Sequence, residues 1–80
     1  MKLKLINNTK QKVYVNGDIL LRERSYPDCS KIFTISITSD VGNGVIKFKN
    51  GVISSMKSYA NLKITESSND SQEKLIILSV

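Results

Sequence analysis

The chain has 80 residues, with 12 basic and 7 acidic side chains, one cysteine and no histidine. That length accommodates one domain with a thin core, and a hydrophobic content of 40% excludes a disordered chain. Without histidine the chain lacks the commonest general base and metal ligand, which excludes the usual catalytic triads. We therefore expect one non-enzymatic domain over residues 1–80, with no cofactor and no metal.

The cysteine content and the first residues bear on the compartment. Cys29 has no second cysteine with which to form the disulfides that are common in small secreted domains. The N-terminal residues show no signal-peptide pattern, and no apolar run approaches the ~20 residues that a membrane-spanning helix needs. We therefore expect a cytoplasmic protein with no membrane partner.

Strands are predicted along the whole chain. Polar and apolar residues alternate at Lys2–Leu5, at Phe33–Thr38 and at Asn61–Thr65, the pattern of a strand with one buried and one wet face. The pairs Asn16-Gly17 and Asn50-Gly51 predict hairpin turns, because Asn-Gly tolerates positive φ at low cost.

The register of the first hairpin follows from its apolar positions. A two-residue loop mixes apolar and charged side chains on both faces of this hairpin. An odd-length loop, with Gly17 in a bulge, gathers Val13, Ile19 and Leu21 on one face. We therefore expect the bulged turn, with these three side chains in the core.

With that register the outward face of the first hairpin is basic and contains one aromatic side chain. The candidate binding residues on it are Lys10, Lys12, Tyr14, Leu20, Arg22 and Arg24. Lysines on exposed strands commonly keep a β protein soluble and prevent its edges from pairing. A net charge of +5 also fits a footprint for nucleic acid or for an acidic protein surface. The sequence leaves both interpretations open.

The second half of the chain predicts another hairpin and an unusual last strand. A two-residue loop at Asn50-Gly51 pairs Phe48 with Ile53 and turns Lys47 and Lys49 outward.

The polar stretch 67–72 predicts an exposed loop. The following segment 75–80 is apolar without alternation, which predicts a strand buried on both sides. Such a strand is either central in a sandwich or closed barrel, or covered on one side by a second copy or a partner.

These patterns predict an all-β fold, a compact antiparallel β-sandwich of seven to eight short strands, immunoglobulin-like or jelly-roll-like, with a small open β-barrel as the alternative. The predicted core comprises Leu3, Leu5, Val13, Ile19, Leu21, Phe33, Ile35, Ile37, Ile46, Phe48, Ile53, Leu62, Ile64 and Ile77.

The leading functional hypothesis is a small protein–protein interaction module that binds another protein, or a second copy of itself, through a sheet face or an edge strand. By analogy, its size and its content of Lys, Asn and Ile are compatible with an accessory protein of a phage or another mobile element. The alternative is binding of nucleic acid or another polyanion through the basic face, with Tyr14 stacking on a base. Three tyrosines, two phenylalanines and no tryptophan offer few stacking platforms for that alternative.

Overall fold

The computed structural model describes residues 2–40, 42–57, 61–69 and 72–80. These residues form nine strands in two packed sheets and contain no helix. The strands are β1 (Lys2–Asn8), β2 (Lys12–Val15), β3 (Asp18–Leu20), β4 (Glu23–Tyr26), β5 (Ile32–Ser39), β6 (Gly42–Lys49), β7 (Val52–Lys57), β8 (Lys63–Asn69) and β9 (Glu73–Ser79). The predicted all-β class is confirmed, with more strands than the seven or eight expected.

The four-stranded sheet has the order β4-β1-β9-β8. Its two central strands come from opposite ends of the chain and pair in parallel over seven positions, from Lys2 opposite Glu73 to Asn8 opposite Ser79. The edge strands β4 and β8 pair antiparallel with β1 and β9. The sheet is therefore mixed, whereas the sequence predicted antiparallel pairing throughout.

The five-stranded sheet has the order β3-β2-β5-β6-β7 and is antiparallel throughout. Its strands are neighbours in the chain except for β2 and β5, between which the chain visits the other sheet as β4. The register of β7 against β6 shifts between Lys47 and Phe48, where the Ser54 hydroxyl donates a hydrogen bond to the Lys47 carbonyl oxygen at 3.1 Å. This shift is a β-bulge, which bends an edge strand.

The core lies between the two sheets. Its buried members are Leu3, Leu5, Val13, Val15, Leu20, Cys29, Phe33, Ile35, Ile37, Ile46, Phe48, Ile76 and Leu78. Ile53, Leu62 and Ile64 pack against it while partly exposed. In the apolar C-terminal strand, Ile76 and Leu78 face the core, whereas Ile77, which the sequence predicts in the core, faces outward. The prediction is wrong because a segment without alternation contains no signal for which of its residues face inward. That strand is central in its sheet, as one of the two interpretations expected.

The bulged register predicted for the first hairpin is wrong. Asn16 and Gly17 have φ values of 51° and 87° and form a two-residue turn that pairs Val13 with Leu20. Leu20 is therefore 3% exposed, whereas Ile19 and Leu21, both predicted in the core, are 48% and 82% exposed.

The prediction failed because it extended β3 too far along the chain. β3 ends at Leu20, so Leu21 and Arg22 belong to the connection to the other sheet and need not alternate. The turn itself is anchored on β5: the Thr34 backbone N–H donates to Asn16 Oδ1 at 2.9 Å, and the Asn16 N–H donates to the Thr34 carbonyl at 2.8 Å.

The second hairpin has the predicted two-residue turn and register. Asn50 and Gly51 have φ values of 54° and 72°, and Phe48 pairs with Ile53. A Cβ at position 51 would lie 3.0 Å from Cδ of Lys74 in the opposite sheet, so both the backbone conformation and the close approach require glycine.

Asn7 joins three crossing segments at one end of the sandwich. Its side-chain amide nitrogen donates to the carbonyl oxygens of Gln11 and Leu20, both at 3.3 Å, and its Oδ1 accepts from the Thr9 N–H at 3.0 Å. The backbone N–H of Asn7 donates to the Arg22 carbonyl at 2.6 Å. Because Asn7 is buried, these bonds satisfy the polar atoms of its side chain, which has little access to solvent.

Replacing Asn7 should destabilise the fold more than replacing its neighbour. We expect Asn7→Ala to lower the free energy of unfolding by about 2 kcal/mol, since it leaves buried polar groups without partners. The control Asn8→Ala alters an exposed side chain and should stay within about 0.5 kcal/mol of wild type. Urea unfolding measures both variants, and equal losses would contradict the structural role of Asn7.

The register of the first hairpin is tested by two adjacent leucines. Leu20→Ala removes a buried side chain and should cost about 2–4 kcal/mol of unfolding free energy. Leu21→Ala changes an exposed side chain and should cost no more than about 0.5 kcal/mol. The bulged register makes the opposite prediction, so thermal or urea unfolding of the two variants decides between them.

Tyr26 packs between the sheets beside the β3 and β4 edges. Its ring lies on Phe33, with the ring centroids 4.8 Å apart and the planes inclined at 60°. Burial raises the pKa of the Tyr26 hydroxyl above its ordinary value of 10.0, and the neighbouring Arg24 guanidinium opposes part of that rise. The folded chain therefore holds the Tyr26 proton more tightly than the unfolded chain does.

This pKa shift predicts a loss of stability at high pH. Below about pH 10 the contribution of Tyr26 to the free energy of unfolding is fully present. This contribution is lost as the pH rises further, because the unfolded chain releases the tyrosine proton before the folded chain does. Tyr26→Phe has no such proton, so its unfolding free energy should fall less than that of wild type between about pH 9 and pH 11. Parallel urea titrations give the comparison, in which lysine deprotonation is common to both proteins. Identical slopes would show that Tyr26 titrates alike in both states.

Candidate functional site

The outer face of the five-stranded sheet carries a cluster of basic side chains. Because side chains alternate along a strand, the neighbours of the core residues on β2, β5 and β6 all point to this face. We call this surface the lysine face. It comprises Lys12, Tyr14, Ile19, Ile32, Thr34, Ser36, Thr38, Asn43, Val45, Lys47, Lys49, Val52, Ser55 and Lys57.

Uncharged side chains separate the lysines of β6 from other charges. Lys49 lies between Ile32 on β5 and Val52 on β7, which are 55% and 59% exposed. Lys47 lies one row further along, between the hydroxyl residues Thr34 and Ser55. A lysine so placed covers its neighbours with its aliphatic stem and presents its ammonium group above them.

The middle of the lysine face is aromatic and aliphatic. Tyr14 is half-buried between Ile19 on β3 and Ser36 on β5. Val45 continues the same row on β6, opposite Ser36 and next to Lys57 on β7. The row therefore crosses all five strands, from an exposed isoleucine at one edge to a lysine at the other.

Within the described part of the chain, no carboxylate lies on the lysine face. The nearby Asp40 lies in the turn after β5 and not on the face. The outer face of the four-stranded sheet differs, because its charges are mixed. There, Lys4 Nζ lies 3.9 Å from Glu23 Oε2, and Lys2 is opposite Glu73. The basic character of the protein is therefore concentrated on one sheet.

The structure separates the six residues predicted as a binding surface. Lys12 and Tyr14 lie on the lysine face. Leu20 does not contribute, because it is buried in the core. Arg22 lies in the connection between β3 and β4, and Arg24 lies on β4 in the other sheet, where it is an exposed edge residue.

Lys10 remains close to Lys12, in the turn between β1 and β2. Both line an open cleft of about 560 Å³ at the end of the sandwich, together with Gln11, Thr38, Ser39 and Asp40. The cleft is continuous with the lysine face through Lys12 and Thr38.

Sequence reasoning missed most of the lysine face. The outward pair Lys47 and Lys49 was predicted, but not that it shares a surface with Lys12, because that requires the pairing of β2 with β5. The exposed aliphatic side chains Ile32, Val45 and Val52 also gave no signal, since exposed and buried apolar residues look alike in a sequence.

No group of three or more His, Cys, Asp or Glu side chains is placed to hold a metal ion among the described residues. Cys29 is a free thiol buried in the core. The described part of the chain contains no helix of the length and apolarity needed to cross a membrane.

No family model, no curated protein and no solved structure matches the chain. The lysine face itself therefore supplies the evidence for function.

Proposed function

We propose that this protein is a non-enzymatic interaction module that binds an acidic surface of another protein through the lysine face. The observation that carries the proposal is the composition of that face, in which lysines lie among exposed aliphatic and hydroxyl side chains and no carboxylate interrupts them within the described residues. Such a surface attracts a negatively charged partner over a distance and then offers it apolar area to bury.

The aliphatic component favours a protein partner. Ile19, Ile32 and Val52 are each about half exposed, and apolar area contributes roughly 25 cal/mol per Å² when a partner covers it. A protein surface supplies matching apolar area, as protein interfaces combine an apolar centre with a polar rim. A phosphate backbone supplies charge and no such area.

The rigidity of the surface supports the same proposal. The lysine face is built on a five-stranded antiparallel sheet whose opposite side is the packed core, so its backbone is ordered before a partner arrives. A preformed surface loses little conformational entropy on association. The costs that remain are the ordering of the lysine side chains and the desolvation of their ammonium groups.

A second candidate function is binding of nucleic acid through the same face. Lys12 and Tyr14 lie side by side on β2 with Lys47 on the same surface, so one base could stack on the tyrosine while lysines contact phosphates. Tyr14 is half-buried and is the one aromatic side chain among the described residues of the lysine face, so these residues offer a single stacking platform. This candidate predicts affinity that falls steeply with salt.

The proposal is tested with two triple variants that remove equal charge. Lys12, Lys47 and Lys49 are changed to Gln in the first, and the exposed Lys2, Lys31 and Lys63 are changed to Gln in the second. We expect the first variant to bind a glutamate- and leucine-containing peptide about tenfold more weakly, since three exposed ion pairs contribute about 1.5 kcal/mol. The second variant should bind within about threefold of wild type. Titration calorimetry or fluorescence anisotropy gives the affinities.

The same titrations separate the two functions. A single-stranded oligonucleotide and a leucine-free glutamate peptide of equal charge are the comparison ligands, and Val52→Ser is a third variant. A protein-binding face predicts the tightest binding to the leucine-containing peptide and a loss of that preference in Val52→Ser. If the oligonucleotide binds more tightly than the peptides and Val52→Ser does not change its affinity, the result would favour nucleic-acid binding over protein binding. Equal losses in both triple variants would show that net charge, and not the lysine face, governs binding.

A further inference from the structure

The four edges of the two sheets differ in how they are protected. β3 has three residues and β4 has four, including the charged Glu23 and Arg24. β7 is bulged against β6. β8 is longer, with seven residues, and contains neither a proline nor a register shift. Short length and bulges are two of the devices that keep edge strands from pairing, and β8 lacks both, so its protection rests on the charged Lys63 and Glu66.

The core is also less covered on the β8 side. The two-residue connection between β3 and β4 places these edges together, so β7 and β8 share the opposite side of the sandwich. On β7, Met56 lies opposite the buried Ile46 and points towards the core side, yet it is 57% exposed. Ile64 on β8 is partly exposed although it lies opposite the fully buried Leu78.

The opposite side of the sandwich is closed by comparison. Leu20 is buried beneath the β3 edge, and Tyr26 on β4 packs against Phe33. Among the described residues, Met56 and Ile64 therefore occupy core-side positions that stay partly exposed, and both lie on or beside β8, the longest of the four edge strands. Exposed apolar side chains next to an unpaired edge are typical of an interface.

The charge of β8 indicates which molecule covers it. The protein carries a net charge of +5, so two copies repel each other over most of their surfaces. β8 contains one lysine, Lys63, and one glutamate, Glu66, and its other described side chains are neutral. A locally neutral edge suits a second copy of this chain, whereas an acidic partner is drawn to the lysine face.

We propose that β8 pairs antiparallel with β8 of a second copy, around a two-fold axis perpendicular to the four-stranded sheet. Such an axis sets one residue opposite its own counterpart. A register centred on Glu66 would place two carboxylates together, which is unfavourable. The neighbouring register, centred on Thr65, forms a Thr–Thr pair, keeps Ile64 close to the axis and sets Glu66 of each copy opposite Ile64 of the other, so the two carboxylates stay apart.

The geometry of this dimer has a consequence for the lysine face. A two-fold axis perpendicular to the sheet keeps the inner and outer sides of the two copies aligned. The two four-stranded sheets then join into one continuous sheet, and both five-stranded sheets lie on the same side of it. Two lysine faces therefore point in the same direction, which permits bivalent binding to one extended partner. The dimer itself does not depend on the proposed function.

The dimer is tested by light scattering over a concentration series. Wild type should approach twice the 8.9 kDa mass of the chain as concentration rises. Thr65→Lys places two like charges at the axis on an exposed position and should return the mass to that of one chain. Thr38→Lys adds the same charge on the lysine face and should leave the dimer intact. Circular dichroism of both variants checks that each one folds.

A crosslinking measurement locates the contact independently. Thr65→Cys should form an intermolecular disulfide under mild oxidation, because the two Cα atoms of a directly opposite antiparallel pair lie about 4.5–5.5 Å apart, within the range of about 4.4–6.8 Å found in disulfides. Thr38→Cys should remain monomeric on a non-reducing gel. A wild-type mass of one chain at every concentration would overturn the proposal. So would a dimer that persists in Thr65→Lys, or one in which Thr65→Cys does not crosslink.

Discussion

The parallel pairing of β1 with β9 is the interaction on which the rest of the structure depends. β4 is hydrogen-bonded in the sheet only to β1, and β8 only to β9, so without this pairing the four-stranded sheet separates into two strand pairs. The inner side of the pairing, where Leu5 lies beside Ile76, covers the core of the five-stranded sheet. Because these strands come from opposite ends of the chain, closing the loop between them has a large entropic cost, which the buried apolar contacts must offset.

The sequence predicts the strands in which burial on one side imposes a period of two. Alternation places Leu3, Ile35 and Phe48 in the core, and the Asn50-Gly51 turn fixes the register of its hairpin. Alternation fails to predict burial where tertiary structure decides which residues of a strand face inward. Leu20 is buried because the two-residue turn pairs it with Val13. Leu21 is exposed because β3 ends at Leu20 and the chain crosses to the other sheet, and no local pattern marks that crossing. Similarly, the polar stretch predicted as a loop from residue 67 begins as part of β8, because pairing with β9 outweighs the low strand propensity of serine and asparagine.

The candidate site shows the same division between local and long-range information. That Lys12, Lys47 and Lys49 point outward follows from the alternation of each strand. That they share one surface follows from the order β2-β5-β6, which no spacing in the sequence reveals. The two arginines predicted beside Lys12 are separated from it for the same reason, since β4 belongs to the other sheet. The functional surface is therefore a product of topology, and the sequence supplies only its components.

Mapping binding residue by residue on the wild-type protein would show whether the lysine face is the binding surface. Amide chemical shifts of the ¹⁵N-labelled chain would be followed while the glutamate- and leucine-containing peptide is added. If the lysine face binds the peptide, the shifts should cluster on the outward residues of β2, β5, β6 and β7, including Tyr14, Lys47 and Val52. Shifts confined to β1, β4 and β9 of the four-stranded sheet, or no saturable shifts at all, would contradict binding through the lysine face.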